Sequence, residues 1–228
     1  ILGADLIKAL RKRYPNAHFE GVGGPLMRAL GFQSHLEMER LSVMGFVEPL
    51  KRLPELLSMR RALTRRYRET PPAAFIGIDS PDFNLQIELS LRQSGIKTIH
   101  YVSPSVWAWR QGRIKKIVRC VDLMLTLLPF ESDFYRQHQV PVRFVGHPLA
   151  DQYPLQPDTS GARRALGLQM DTPTLTLMPG SRGSEVDMMA QLFMQVVARV
   201  REDIPNLQVL VPAANAARYR QLTALLGS

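Results

Sequence analysis

A single cysteine, Cys120, stands in a chain of 228 residues. One thiol excludes an internal disulfide framework and points to a reducing compartment. Nothing beside it resembles the partner of a nucleophile. The five histidines are scattered and lack Cys or carboxylate neighbours at ligand spacing, so no metal centre is expected. No apolar run approaches the about 18 residues a transmembrane helix needs, and no signal-peptide pattern is present. Neither a Walker loop nor Gly-x-Gly-x-x-Gly occurs. Acids are also in deficit, 20 Asp and Glu against 29 Lys and Arg, for a net charge of +9. That balance favours acidic partners: nucleic acid, phosphorylated small molecules or an anionic membrane surface.

What the chain does contain is alternation. Apolar residues recur at helical spacing over 2–14, where Leu2, Leu6, Ile7 and Leu10 face one way and Lys8, Arg11, Lys12 and Arg13 the other. A strand over 19–22 ends in Gly23-Gly24-Pro25, and Pro25 suits the start of a helix. Further on, strands at 73–78, 98–102, 123–128 and 142–145 alternate with helices at 83–93, 110–121 and 131–138. Short apolar runs alternating with helices make βαβ units and a parallel sheet. Residues 147–161 are rich in Pro, Asp, Ser and Thr and read as a linker. The pattern then restarts with a helix at 162–166, a strand at 174–178, a helix at 185–202 and a strand at 208–211. The expected organisation is one α/β domain over 1–150, a linker over 151–161 and the start of a second α/β domain over 162–228. The chain opens at Ile1-Leu2-Gly3 without Met and stops just after another helix, so a fragment with a truncated second domain is expected.

Residues 41–69 stand apart. Val43-Met44-Gly45-Phe46-Val47 is apolar, and Leu50, Leu53, Leu56, Leu57 and Leu63 follow in a background of Lys51, Arg52, Arg60, Arg61, Arg65, Arg66 and Arg68 against Glu55 and Glu69. A basic amphipathic helix of this kind lies on anionic lipid or covers a sheet with its basic face in water.

Four places carry residues suited to chemistry. Tyr101 to Arg110, YVSPSVWAWR, holds both tryptophans just past a strand end. Ligands of open α/β sheets bind at the carboxyl ends of strands, so this segment is a candidate binding wall, with core packing of both rings as the alternative. Asp79 sits just past another strand end, where a carboxylate serves as a general base or as a turn residue, while Asp82 suits a helix cap. Pro179 to Glu185, PGSRGSE, joins a strand to a helix. Glycines there let a backbone approach a ligand, the helix start offers N–H groups to phosphate, and Arg182 adds a forked donor. A plain turn capped by Ser184 is the alternative. His147 closes a strand before the linker, in a place where structural histidines are common.

Taken in order, GIDSPDFN, KTIHYVSPSVWAWRQGRIKKI, LPFE, FVGHPLAD and LMPGSRGSEV resemble the lipid-A-disaccharide synthases, bacterial inverting glycosyltransferases of the GT-B type. The resemblance runs across essentially the whole chain. It implies two doubly wound, Rossmann-like parallel-sheet domains, the first lacking its initial strand and glycine-rich turn and the second truncated. It implies transfer of a diacylated glucosamine from UDP-2,3-diacylglucosamine to 2,3-diacylglucosamine 1-phosphate, with no cofactor, in lipid A biosynthesis.

On the matching motifs, Asp79 corresponds to the essential aspartate, a general base, and Arg182 to the essential arginine. Asn84, Ser103, Trp107, His147, Gly180, Ser181 and Glu185 fall to substrate binding. Val43, Met44, Phe46, Val47 and Leu50 fall to membrane and acyl-chain contact. The same resemblance implies a cytoplasmic, peripheral place on the inner face of the bacterial inner membrane, a homodimer of the whole protein, no nucleic acid and no metal. With much of the donor pocket outside the chain, the fragment alone is expected to be inactive. The competing readings are a UDP-sugar epimerase or other GT-B enzyme and, from another class, a basic nucleic-acid-binding module built on Trp107, Trp109, Arg110, Arg113, Lys115 and Lys116.

Overall fold

The computed structural model describes residues 1–37 and 47–227, with residues 37 and 47–52 as backbone only. It divides into two units, Ile1–Pro154 and Leu155–Ser228. The first contains, in chain order, α1 (Leu2–Arg13), β1 (Glu20–Gly23), α2 (Pro25–Arg28), β2 (Gln33–Glu37), α3 (Val47–Glu69), β3 (Phe75–Ile78), α4 (Pro81–Gln93), β4 (Thr98–Tyr101), α5 (Ile114–Cys120), β5 (Leu123–Thr126), α6 (Glu131–Gln137), β6 (Val142–Phe144) and α7 (Leu149–Gln152). The second contains α8 (Thr159–Ala165), β7 (Thr174–Thr176), α9 (Gly183–Asp203), β8 (Gln208–Leu210) and α10 (Ala216–Leu226).

Every described strand pairing is parallel. β3-β4-β5-β6 form one sheet in sequence order, β1 and β2 a separate pair, and β7 and β8 another. Parallel neighbours need a crossover, and α4, α5 and α6 supply them. β1 and β2 share an apolar cluster with the four-stranded sheet: Val22 and Leu36 pack with Phe75 against Leu63, Tyr67, Ile87, Leu91 and Ile96. A second cluster joins Leu85 of α4 to Ile114, Ile117 and Cys120 of α5, Met124 of β5 and Tyr135 of α6. α4 thus contributes to both clusters. The thiol of Cys120, fully buried here, is pushed up to about 11 by that burial and is inert as a nucleophile.

One carboxylate latches the start of this sheet. Asp122, just before β5, accepts the N–H of Thr98 at 2.9 Å and the Nε–H of Arg92 at 3.2 Å. Burial pushes its carboxyl up, but the Thr98 N–H and Arg92 outweigh that and hold it below the ordinary range.

The structure departs from expectation where local chemistry overrides pattern. α1 buries Gly3, Ala4 and Ile7, while Leu2, Leu6 and Leu10 are only partly covered. Small residues face inward because a Cβ on Gly3 would lie 2.7 Å from Met27 Sδ. The helix expected over 110–121 starts later, because Arg110 has left-handed backbone (φ 52°) and a 3₁₀ turn, Gln111–Arg113, precedes α5. β2 was not foreseen: its polar run QSHLE hides a strand whose Ser34 hydroxyl bonds the carbonyls of Gly23 and Leu36. The stretch 147–161, expected as a linker, holds α7 and the start of α8.

Gly77, in the middle of β3, is required by packing rather than by φ. A Cβ there would lie 2.0 Å from the fully buried carboxylate of Glu88 and 3.0 Å from Asn84 Cβ. Gly77→Ala is expected to lower stability by about 1–3 kcal/mol through overpacking, read as a lower urea midpoint in the full-length protein. An unchanged midpoint would mean that α4 moves away from β3 freely.

Candidate active site

The first group of candidate residues gathers at the carboxyl ends of β3 and β4. Asp79 follows β3 directly. Its N–H donates to Tyr101 O at 2.9 Å, which extends the β3–β4 ladder by one step. Its own carbonyl accepts the Asn84 amide at 2.7 Å, and the same nitrogen lies 3.3 Å from Ile78 O. Asn84, one turn into α4, therefore holds the β3–α4 turn by its two carbonyls. The side chain of Asp79 is exposed and has no hydrogen-bond or ion-pair partner among the described residues. Asp82 differs: its carboxylate accepts Arg113 Nη2 at 2.9 Å. It is not the helix cap expected, because Ser80 holds the N-cap position and Pro81 opens the helix.

Backbone strain is concentrated here. Five described non-glycine residues have left-handed φ, and four of them lie past the ends of β3 and β4: Asp79 (53°), Ser80 (45°), Val102 (83°) and Arg110 (52°). A β-branched residue such as Val102 is a true outlier in that region. Conformations of this kind cost about 1–3 kcal/mol each and persist where the surroundings over-determine them. The Val102 N–H bonds Leu125 O at 3.0 Å, which fixes the turn onto β5.

The two rings of the tryptophan segment are not core packing. Tyr101, Ser103 and Val106 are buried, whereas Trp107 is 37% and Trp109 58% exposed. Trp107 Nε1 donates to Glu131 Oε1 at 3.2 Å, and its ring meets Phe130 edge-on at 4.9 Å. The other carboxylate oxygen of Glu131 accepts the Leu128 N–H at 3.0 Å. The Arg110 guanidinium lies 4.4 Å over the Trp109 ring, a cation–π pair. Glu131 and Phe130 were not singled out from the sequence. Their signal was present in LPFE, a strand end opening a helix, but nothing there says that a glutamate is almost fully buried.

Ser103 is buried and shares a 2.9 Å hydrogen bond with the Tyr135 hydroxyl, so its hydroxyl braces β4 against α6. Burial pushes the Tyr135 phenol up to about 12. His147 is exposed and its Nδ1 accepts the Leu149 N–H at 3.2 Å, a turn role.

The second group lies in the β7–α9 turn of the second unit. Gly180 takes φ 137°, and a Cβ there would lie 2.4 Å from Glu185 Cβ. The Glu185 carboxylate accepts the N–H of Ser181 at 3.0 Å and of Arg182 at 3.2 Å, and its other oxygen binds the Arg182 guanidinium. The cap of α9 is thus Arg182 with Glu185 three residues on, not Ser184. The N–H groups expected to meet a phosphate hold an internal carboxylate in this structure. The Arg182 guanidinium, with these N–H groups, holds the Glu185 carboxyl below the ordinary carboxylate range.

Val43, Met44 and Phe46 lie outside the described residues. Val47 and Leu50 fall in α3, where only backbone is described. Further along, Met59, Leu63 and Tyr67 are buried against the sheet. Arg60, Arg61, Arg65 and Arg68 line an open groove of about 590 Å³ between α3 and α4, with Glu69 its one acid. Among the described residues no helix is long and apolar enough to cross a membrane, and no cluster of His, Cys, Asp or Glu could hold a metal ion.

The family model described as lipid-A-disaccharide synthetase matches residues 1–227. The chain belongs to the lipid-A-disaccharide synthetase family. Curated relatives bearing the name lipid-A-disaccharide synthase include that of Saccharophagus degradans, 55% identical over 99% of this chain and 59% of that protein. That of Cellvibrio japonicus is 57% identical over 97% of this chain and 58% of that protein, and that of Alkalilimnicola ehrlichii 58% identical over 93% and 56%. The chain spans under two thirds of the length of each. Among solved structures, a glycosyltransferase from Rickettsia africae aligns with TM-score 0.51 at 10% identity, over 96% of this chain and 66% of that one. That likeness is one of fold, and it agrees with α/β units of the Rossmann kind.

The Glu185 contacts give a pH prediction. A carboxyl whose folded value is depressed contributes stability that is present above its unfolded value and lost as pH falls through the folded value. The amide resonances of Ser181 and Arg182 are therefore expected to titrate together below the ordinary glutamate range as the cap of α9 is released. Glu185→Gln should abolish that titration. Persistence of the titration in the variant would assign it to another group.

Proposed function

We propose that the full-length protein transfers a diacylated glucosamine from UDP-2,3-diacylglucosamine to 2,3-diacylglucosamine 1-phosphate, forming lipid A disaccharide 1-phosphate and releasing UDP. The observation that carries this reading is the position of Asp79: an exposed carboxylate without a partner among the described residues, on a strained turn at the end of β3, in a chain that matches the lipid-A-disaccharide synthetase family from residue 1 to 227. In an inverting transfer, a base on the acceptor side takes the hydroxyl proton while the anomeric carbon is attacked from the face opposite UDP. Asp79 has the exposure and the geometric fixation such a base needs. Its neighbour Asp82 is instead engaged by Arg113 at 2.9 Å.

Arg182 takes the leaving-group side of the reaction. As the bond to UDP breaks, charge grows on the diphosphate, and a guanidinium on a helix-opening turn stabilises it. The substrate must then compete with Glu185 for the same donors. Trp107 and Phe130, packed edge-on past the ends of β4 and β5, offer an apolar face suited to the sugar ring or the first carbons of an acyl chain.

The substrates of this reading carry acyl chains that do not leave a bilayer freely, so the enzyme goes to the membrane. Residues 43–50 supply apolar side chains, and the arginine groove between α3 and α4 supplies positive charge. The protein accordingly acts as a peripheral protein on the anionic, cytoplasmic face of the inner membrane. A homodimer of the full-length protein is part of the same proposal.

Release of UDP by the full-length protein should require the lipid acceptor, since an epimerase would show no such requirement. Asp79→Asn is expected to lower kcat by about 10²–10⁴-fold with the fold intact. Arg182→Lys, which keeps charge but loses the fork, should be impaired and Arg182→Ala more so. Parental rates in Asp79→Asn would remove that residue from the mechanism. Flotation with anionic vesicles tests the membrane arm: binding should be partly released by high salt and weakened further by Met44→Ser combined with Phe46→Ser. Equal flotation of parent and double variant would place the acyl contact elsewhere.

A further inference from the structure

Beneath the strained turn lies a polar pair that the proposed reaction does not use. Glu88 of α4 and His100 of β4 are both 0% exposed, and Glu88 Oε1 lies 2.7 Å from His100 Nδ1. The far atoms, Glu88 Oε2 and His100 Nε2, are buried without a hydrogen-bond partner among the described residues. The surroundings are apolar: Leu85 and Ile87 flank Glu88 on the same helix and are almost fully buried. Burial pushes the Glu88 carboxyl above its ordinary range, against the pull of His100 and the more distant Lys116.

Such a pair is weak evidence of stabilisation. Two aliphatic side chains in its place are often neutral or stabilising, and the best-attested use of a buried polar pair is to fix register. The geometry says which register this one fixes. His100 is paired with Gly77 across β3 and β4. The Glu88 carboxylate lies directly over Gly77, where a Cβ would come within 2.0 Å of Oε1. Glu88 therefore reaches across β3 to β4 over the one residue of the strand that leaves room for it. One turn earlier on α4, Asn84 holds the carbonyls of Ile78 and Asp79.

We infer that Glu88 and His100 are a positioning pair that sets the register of α4 over β3 and β4, so that Asn84 stays clamped on the Asp79 peptide and the carboxylate is presented in one geometry. The inference rests on Asp79 being the base proposed above. The pair touches neither substrate nor reacting atoms. It acts through Asn84 and the turn, and a displacement of about 1 Å at a reacting group is worth up to about 10²-fold in rate.

The test uses the full-length protein with Glu88→Leu and His100→Leu combined. The fold should be kept, with a urea midpoint at or above that of the parent. Backbone hydrogen exchange over 77–84 should accelerate, and kcat should fall about tenfold or more while KM for both substrates stays within about twofold. Glu88→Gln retains an atom for His100 Nδ1 and should restore parental exchange and rate. A double Leu variant with parental exchange and parental kcat overturns the inference. So does a Glu88→Gln variant as impaired as the double, because charge rather than register would then be the requirement.

Should the double variant not fold, His100→Asn, a shorter polar side chain, carries the same measurements: faster exchange with lower kcat supports the inference, and parental values of both overturn it. Exchange does not depend on the assignment of Asp79. If Asp79→Asn retains full turnover while the double variant still exchanges faster over 77–84, the catalytic reading has failed and the clamp has not.

Discussion

The height of α4 above the sheet is the constraint on which the first unit depends. α4 is the helix shared by both apolar clusters, with Leu85 in one and Ile87 and Leu91 in the other. It approaches β3 so closely that Gly77 has no room for a methyl group. That closeness lets a side chain as short as Asn84 reach back to two carbonyls of the preceding turn. The turn in question is left-handed at two successive non-glycine residues, Asp79 and Ser80. A free peptide would relax it, so the packing of α4 must supply what the backbone gives up. The same logic applies one strand over, where Val102 is held in its outlier conformation by the hydrogen bond to Leu125. Strain at the ends of neighbouring strands, with a rigid sheet below, is how a parallel α/β fold presents side chains at fixed positions.

The second unit solves a related problem with an internal carboxylate. A strand-to-helix turn with a glycine at φ 137° and free N–H groups attracts an anion, and in this structure the anion is the chain's own Glu185. Arg182 is turned inward onto that carboxylate. The ion pair lies at the surface, with the Arg182 and Glu185 side chains 45% and 38% exposed, so its contribution to the turn comes from geometry more than from charge. The pair keeps the N–H groups of Ser181 and Arg182 and the guanidinium in one arrangement at the start of α9.

Much of this architecture was legible in the sequence, for identifiable reasons. The alternation of apolar runs with helical periods gave the parallel strands β3 to β6 and the helices between them, because buried parallel strands are continuously apolar. Asp79, Arg182 and the tryptophan segment stood out because their residue types are unusual where strands end. β2 did not stand out, since its stabilising contacts are hydrogen bonds of Ser34 and pairing with β1, with little apolar signal. The cap of α4 was expected at Asp82, and Ser184 was the alternative considered for the start of α9. Propensity ranks Ser and Asp highly at such positions, yet the actual caps are set by Pro81 in one case and by the reach of the Glu185 carboxylate in the other. The Glu88–His100 pair was invisible for a deeper reason. A glutamate inside an apolar helix pattern reads as a break in the face or as a solvent position, and only the gap left by Gly77 on a strand eleven residues earlier shows that it points inward.

The two carboxylates of the motif Asp79-Ser80-Pro81-Asp82 illustrate how such a fold divides labour among like residues. Both belong to one turn, both are exposed, and composition cannot rank them. Pro81 opens α4 and leaves Asp82 in its first turn, where the helix dipole favours a negative charge and Arg113 from the turn before α5 reaches it at 2.9 Å. Asp79 is left behind on the strand side, its peptide fixed by Tyr101 and Asn84 and its side chain without a partner among the described residues. The Asp82 carboxylate is committed to that ion pair. A carboxylate held only by its backbone keeps its lone pairs available to an incoming hydroxyl. The ion pair at Asp82 also ties α4 to the segment after the tryptophans, so this carboxylate has a structural use.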